Sequence, residues 1–286
     1  MICIDMGNLS KALYWQEKAI GIRKELYHSD VNPGMAMSYS NLSAIYQAMG
    51  KLQAALYWQE KARDIREELY PNGVHPDLAT TYNNLSMVYM DFERLPEALI
   101  WQEKAQRIEE ALYPDGIHPS LATTYNNLSM IYKEMGKLSE ALHWQERAKE
   151  IVEVLHPDGI HPSVGLAYNN LSTIHHDMGN LPEAIRCLNK NRSILEMLYP
   201  DGIHPDYATA FNNLSLIYID MNNYPEALRW QRKAKKVMES MYPGGLHPYW
   251  VRTYRCMSSI YEKIGDPKHS RRCNKLAREI EIRLEN

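Results

Sequence analysis

Residues 121–162 read LATTYNNLSMIYKEMGKLSEALHWQERAKEIVEVLHPDGIHP, and this stretch recurs along the whole chain. Its tripeptide Asn-Leu-Ser returns every 43 residues, and a related Cys-Met-Ser stands at residues 256–258. The tripeptides start at Asn41, Asn84, Asn127, Asn170 and Asn213. A fixed period of this length is typical of stacked repeats, in which each unit contacts only its neighbours. The sequence therefore predicts a solenoid rather than one compact core.

Each period predicts two helices. Met135-Gly136 separates them, and the linker at residues 157–162 ends the repeat. At 100° per residue, Tyr125 and Tyr132 fall on one face of the first helix, and Trp144 falls on a matching face of the second helix. Small and aliphatic residues complete both faces. The sequence therefore predicts helix hairpins and an all-α fold class.

A spacing of small and aromatic residues carries a family resemblance. Ser129, Tyr132, Ala141 and Ala148 follow one another at intervals of three, nine and seven residues. This pattern resembles the tetratricopeptide repeat. The long period, the YNNLS run and the His-Pro helix start are most similar to the repeats of kinesin light chains and many bacterial proteins. The resemblance implies a right-handed α-α superhelix that binds peptides or proteins. Gln145 and its equivalents depart from the family pattern, which favours an aromatic or apolar residue there.

The repeats predict a single solenoid over residues 1–286. It begins with a half repeat at residues 1–27, which lacks the first part of its first helix. Six hairpins follow, at about 34–70, 77–113, 120–156, 163–199, 206–242 and 249–286. Solenoids normally cover their ends with a polar capping element. The half repeat is therefore interpreted either as part of a longer protein or as an end that self-associates with another chain.

Two ladders of side chains are expected to be structural. The first consists of Trp15, Trp58, Trp101, Trp144 and Trp230, whose helical spacing with alanine and isoleucine indicates core packing. The second consists of His75, His118, His161, His204 and His247, each of which precedes a helix-starting proline. A metal site needs ligands that converge on one point, whereas this period spreads them along an edge. We expect a helix-start role for these histidines, and we expect His175 to replace a packed tyrosine.

Composition and motifs argue against several function classes. A net charge of −3 argues against a nucleic-acid binder, and no apolar run reaches the roughly 20 residues of a membrane helix. The four cysteines show no paired spacing, which predicts neither disulfides nor zinc and favours a reducing cytoplasm. No catalytic, metal or cofactor motif is recognised, so we expect no enzyme and no cofactor. One off-template group, Arg186, Cys187 and Lys190, is the candidate for an enzymatic alternative.

The predicted binding surface lies on the first helix of each hairpin, opposite its tyrosines. Tandem asparagines there are poor helix formers, and their amides suit the backbone of an extended peptide. In kinesin light chains, similar asparagines are implicated in gripping cargo peptides. An amide ladder between neighbouring repeats, with no ligand, is the alternative. The predicted peptide-binding residues are Asn41, Asn83, Asn84, Asn126, Asn127, Asn169, Asn170, Asn212, Asn213, Thr80, Thr123, Thr209, Lys133, His176, Arg252 and Arg255.

Charges along this surface suggest a polarity for the ligand. Asp91, Glu134, Asp177 and Asp220 form an acidic row in the middle of the chain. Residues 251–286 carry nine Lys and Arg against five Asp and Glu. A ligand would then present basic or neutral groups to the middle and an acidic group to the C-terminal end. Solvated surface charges without a ligand are an equally good interpretation.

These observations predict a non-catalytic scaffold that binds a peptide segment or a partner protein in a concave groove. The alternative is a sensor or oligomerisation region of a larger multidomain bacterial signalling or effector protein. The sequence does not identify the ligand.

Overall fold

The described part of the chain is entirely helical. The computed structural model describes residues 9–26, 29, 31–244 and 247–285, and within these residues it contains thirteen helices and no strand. The helices are α1 Leu9–Leu26, α2 Pro33–Ala48, α3 Leu52–Leu69, α4 Pro76–Asp91, α5 Leu95–Leu112, α6 Pro119–Glu134, α7 Leu138–Leu155, α8 Pro162–Asp177, α9 Leu181–Leu198, α10 Pro205–Asp220, α11 Tyr224–Met241, α12 Pro248–Ile264 and α13 Pro267–Glu285. The predicted all-α class is confirmed.

The chain divides into two compact units, Met1–Ile151 and Val152–Asn286, and the division falls within α7. In the first unit, α2 packs on α3, α4 packs on α5, and α6 contacts α7. In the second unit, the hairpins are α8 with α9, α10 with α11, and α12 with α13. Residues 1–8, where the start of the predicted half repeat falls, lie outside the described residues.

A histidine starts the first helix of five hairpins. The Nδ1 atoms of His75, His118, His161, His204 and His247 accept a hydrogen bond from the backbone N–H two residues later, at 3.1–3.3 Å. Each imidazole also stacks on a ring five residues earlier, for example on Tyr70 with 3.5 Å between ring centroids. At α2, Asn32 takes this place and accepts from the N–H of Met35 at 2.9 Å. The predicted helix-start role is confirmed, because the side chain satisfies an N–H that the helix leaves unpaired.

Aromatic pairs fill the inside of the hairpins. Tyr82 contacts Trp101 with 5.2 Å between ring centroids, and Phe211 contacts Trp230 at 5.5 Å. The serine of Asn-Leu-Ser closes the same interface, since the Ser86 hydroxyl donates to the Ala98 carbonyl at 2.8 Å. These contacts hold the two helices of a hairpin together.

The core role expected for the tryptophans is wrong at one position. Trp58, Trp101 and Trp144 are partly buried and Trp230 is buried, but Trp15 is 55% exposed. The reason is local: no described helix covers its side of α1. In the other hairpins, the first helix supplies a tyrosine or phenylalanine ring against which the tryptophan packs.

Two departures from the repeat change the backbone and the packing. Glu93 stands where Gly50, Gly136 and Gly179 stand in other repeats and has a φ of 59°, compared with 73° at Gly136. In the α8–α9 hairpin, Gly165 and Asn191 replace the alanine pair found at Ala122 and Ala148. A Cβ atom on Gly165 would lie 3.0 Å from Asn191 Oδ1. The larger side chain thus occupies the space that the smaller one leaves, which keeps the packed volume nearly constant.

Candidate functional site

Buried glutamines join each hairpin to the next in the first unit. Gln59 Nε2 of α3 donates to the Thr81 carbonyl of α4 at 3.2 Å, and Gln102 Nε2 of α5 donates to the Thr124 carbonyl of α6 at 3.2 Å. Both side chains are fully buried. A buried amide must be hydrogen-bonded, and these glutamines find their acceptor on the neighbouring hairpin. The departure from the family pattern at these positions is therefore structural.

The first asparagine of two tandem pairs bonds to a glutamine of the same kind. Asn83 Oδ1 accepts from Gln102 Nε2, and Asn83 Nδ2 donates to Thr124 Oγ1 at 3.1 Å. In the second unit, Asn212 is 8% exposed and its Oδ1 accepts from Gln231 Nε2 at 3.0 Å. These contacts are those of the amide ladder considered as the alternative to a peptide site, and they leave Asn212 little surface for a ligand.

The asparagines on this surface are mostly partly exposed, and Asn212 is the buried exception. Asn41 is exposed, and Asn84, Asn127, Asn170 and Asn213 are partly exposed. Asn213 Nδ2 donates to Asn169 Oδ1 of the preceding hairpin at 3.0 Å. Asn126, the first of its pair, is also partly exposed. Asn83 and Asn169 are partly exposed as well, so the second asparagine offers clearly more surface to a ligand only in the pair Asn212–Asn213.

The predicted threonines lie on the same outer surface. Thr80 and Thr123 are exposed and Thr209 is partly exposed. Each hydroxyl donates to the carbonyl of the proline that starts its own helix, at 3.0–3.3 Å. Their hydroxyl protons are thus committed, and the oxygens remain as acceptors.

Two carboxylates of the acidic row are bonded to side chains of a neighbouring first helix. Gln47 Nε2 of α2 donates to Asp91 Oδ2 of α4 at 2.5 Å, and His176 Nε2 of α8 lies 2.5 Å from Asp220 Oδ2 of α10. Lys133 Nζ lies 3.3 Å from Glu134 Oε1. The acidic row is therefore partly used to tie hairpins together, which reduces the charge that it presents to a ligand.

The two predicted arginines line one pocket in the second unit. It has a volume of about 730 Å³ and lies among α10, α12 and α13. Arg252 and Arg255 line it together with Leu216, Val251 and Leu284. Arg255 Nη2 bonds to Glu281 Oε1. Arg252 forms no ion pair with any residue that the structure describes, so its guanidinium is available to an anionic group. We call this site the Arg252 pocket.

Cys256 also lines the Arg252 pocket. Burial raises the pKa of the Cys256 thiol, although a hydrogen bond with Ser215 and the charge of Arg252 act in the opposite direction. A raised pKa keeps the thiol protonated, and the thiolate is the reactive form.

A family model matches most of the chain. The tetratricopeptide repeat model matches residues 1–68, 77–153 and 163–240. The chain belongs to the tetratricopeptide repeat family. This repeat is typical of protein–protein interaction scaffolds. The comparison with curated proteins gave no match.

Solved structures share the fold of this tetratricopeptide repeat protein. BtubC (BKLC) from P. vanneervenii is 24% identical, with a TM-score of 0.69 over 84% of this chain and 94% of that chain. RapI, in its apo form, is 15% identical, with a TM-score of 0.71 over 100% of this chain and 96% of that chain. The nearly identical TPR-like repeats of a kinesin-light-chain-like protein from Podosopora anserina are 22% identical, with a TM-score of 0.57 over 69% and 92% of the two chains. At these identities the likeness concerns the fold alone.

The helices were also compared with the requirements of a membrane span. Across the described residues, none combines sufficient length with sufficient apolar character to cross a bilayer.

The apolar wall of the Arg252 pocket was not predicted from the sequence. Val251 and Leu284 come from two helices of the last hairpin, and Leu216 comes from the hairpin before it. Leu216 occupies the position of Met87 and Met130 in the repeat. The sequence signal for this wall was the apolar residue that recurs, at Met87, Met130 and Leu216, on an otherwise polar face of the first helices.

Proposed function

We propose that this tetratricopeptide repeat protein is a non-catalytic scaffold that binds an extended segment of a partner protein along its first helices. The observation that carries the proposal is the Arg252 pocket, an apolar cavity with an unpaired guanidinium on its wall. Ligand pockets typically combine an apolar lining with a few polar groups that fix orientation. A concave groove and the partly exposed asparagines as backbone contacts remain part of the proposal.

The Arg252 pocket suits a peptide in which an apolar side chain lies next to a carboxylate. The apolar side chain would pack among Leu216, Val251 and Leu284, while the carboxylate would pair with Arg252. The same chemistry is met by an acidic residue or by the C-terminal carboxylate of a chain. Peptides that carry only an acidic side chain, tested beside peptides that carry only a free C-terminal carboxylate, distinguish these two sources.

A peptide array probed with the purified protein tests the proposal. Arg252→Glu reverses the charge of the pocket wall, whereas Arg271→Glu makes the same change on an exposed arginine of α13 that does not line the pocket. We expect peptides bound by wild type and by Arg271→Glu to be lost with Arg252→Glu. If Arg252→Glu binds the same peptides as wild type, the Arg252 pocket is not the binding site. If wild type binds no peptide on the array, peptide binding itself is contradicted.

The asparagines are tested on the same array with Asn127→Ala/Asn170→Ala. We expect weaker binding of most peptides, because a backbone contact does not depend on the peptide sequence. Binding at the wild-type level would remove the asparagines from the proposed site and leave the Arg252 pocket untouched.

Self-association through α1 is a second proposal, supported by the exposed apolar side chains of that helix. Trp15 is 55% exposed and Leu26 is 68% exposed. Sedimentation of wild type beside Trp15→Glu/Leu26→Lys tests it, with Tyr57→Glu as the control on an exposed residue of α3. A monomer at all concentrations would exclude it. Among the described residues, Cys187, Cys256 and Cys273 form no disulfide, which supports a cytoplasmic location for the protein.

A further inference from the structure

The α8–α9 hairpin departs from the repeat at two positions that face each other. His175 stands where five other repeats carry tyrosine: Tyr46, Tyr89, Tyr132, Tyr218 and Tyr261. Cys187 stands where Trp58, Trp101, Trp144 and Trp230 stand in other repeats, and the last hairpin has Cys273 at this place next to an unchanged Tyr261. Two large aromatic residues are thus replaced, in a single hairpin, by two side chains that bind metal ions.

The hairpin brings these side chains together with a carboxylate. The ligand atoms of His175, Glu183 and Cys187 all lie within 4.8 Å of one another. Glu183 and Cys187 are one turn apart on α9, and His175 reaches them from the last turn of α8. Cys187 is 1% exposed, while His175 and Glu183 are partly exposed. The cluster is therefore shielded from solvent on the cysteine side.

The His175 imidazole supplies a second, independent observation. Its Nδ1 atom is buried and has no hydrogen-bond partner among the residues that the structure describes. Buried polar atoms are almost always paired in native proteins, and an unpaired one calls for an explanation such as an ion. A metal ion between the three side chains would give this imidazole a partner.

We propose that His175, Glu183 and Cys187 form a binding site for zinc or a similar divalent cation. A thiolate, an imidazole and a carboxylate are zinc ligands, at distances of about 2.0–2.3 Å, and three protein ligands leave one position for water. Zinc binding would draw the three ligand atoms closer together than the 4.8 Å within which they now lie. Binding releases the Cys187 thiol proton to solvent and uses the neutral imidazole, so affinity falls as the pH falls.

Arg186 would compete with the metal ion for the Glu183 carboxylate. Its Nε donates to both carboxylate oxygens of Glu183, at 2.9 and 2.8 Å. These bonds raise the pKa of Arg186. Arg186 is largely exposed, and an exposed ion pair contributes little to stability. A divalent ion therefore displaces this guanidinium at small cost and holds α8 to α9 where the aromatic pair of the other hairpins is missing.

Cobalt titration of the chelator-treated, full-length protein tests the site. Under a phosphine reductant, which does not compete for the metal, we expect a thiolate-to-cobalt charge-transfer band and visible bands of tetrahedral cobalt. Zinc should abolish both and raise the midpoint of thermal unfolding. The absence of a charge-transfer band in wild type overturns the proposal.

Two variants restore the residues of the other repeats, and a further variant serves as a matched control. Cys187→Trp and His175→Tyr should abolish the band and the thermal shift by zinc while keeping the helical circular dichroism. Cys187→Ser serves the same purpose if the larger residue disturbs the core. Cys256→Ser removes a thiol outside the cluster and should keep the band. A band that survives Cys187→Ser, or that disappears in Cys256→Ser, contradicts the assignment.

Discussion

Glu93 holds a backbone conformation that a side chain disfavours. Its φ of 59° lies in the left-handed region, where a Cβ atom costs about 1–2 kcal/mol and glycine costs least. The side chain is exposed. We expect Glu93→Gly to raise the free energy of unfolding by about 1 kcal/mol, measured by urea denaturation. Gly136→Ala makes the opposite change at the same place in the repeat and should destabilise the protein; a loss of stability in Glu93→Gly would contradict the explanation.

Gly165 and Asn191 are expected to be energetically coupled. Gly165→Ala introduces a Cβ atom 3.0 Å from Asn191 Oδ1, and Asn191→Ala leaves space in a buried site. Gly165→Ala/Asn191→Ala recreates the alanine pair of other hairpins. We expect the double variant to be more stable than the sum of the two single changes by about 1 kcal/mol. Additive free energies of unfolding would show that the two residues do not share one space.

A histidine cap makes the start of α12 sensitive to pH. His247 Nδ1 accepts from the N–H of Tyr249 at 3.2 Å, and burial lowers the pKa of His247 below its ordinary 6.5. The unfolded chain therefore binds the proton more readily, so this contribution is complete above the ordinary pKa and is lost as the pH falls below it. We expect His247→Asn, which copies the Asn32 cap of α2, to lose less stability than wild type on acidification.

Thermal unfolding at several pH values measures this difference. Tyr249→Phe, which keeps the backbone N–H and the histidine, is the control and should follow wild type. Parallel curves for wild type and His247→Asn would show that the cap does not titrate in this range.

Elements were predictable from sequence wherever periodicity alone decides them. The hairpins, the histidine caps and the Tyr125–Trp144 contact follow from spacing and turn chemistry. The roles of Asn83 and Asn84 do not follow from spacing. Neighbouring residues on a helix are separated by an angle of only 100°, so either side chain can face the next hairpin. Thr124 of that next hairpin decides the matter by bonding Asn83. The Arg252 pocket was half predictable, since its arginines are visible in the sequence but its apolar wall depends on how three helices pack.

At the scale of the whole molecule, the repeat predicts that a hairpin can be removed without loss of the fold. Deleting residues 76–118 removes α4 and α5 and joins His75 to Pro119, which restores the helix start. Gln59 would then meet the Thr124 carbonyl as it now meets that of Thr81. We expect a folded, helical protein whose urea m-value falls roughly in proportion to its length, because m scales with the surface exposed on unfolding.

Circular dichroism and urea denaturation of two deletions test this. Deletion of residues 76–107 ends inside α5 and breaks the period, so it should unfold without cooperativity. If both deletions behave alike, the hairpin is not the unit of stability.

The bonds from Gln59 and Gln102 end on main-chain oxygens. Such an acceptor is the same whichever amino acid carries it, so no point mutation at Thr81 or Thr124 can delete it. Substitutions on the exposed surface of each copy therefore leave this attachment between neighbouring copies intact.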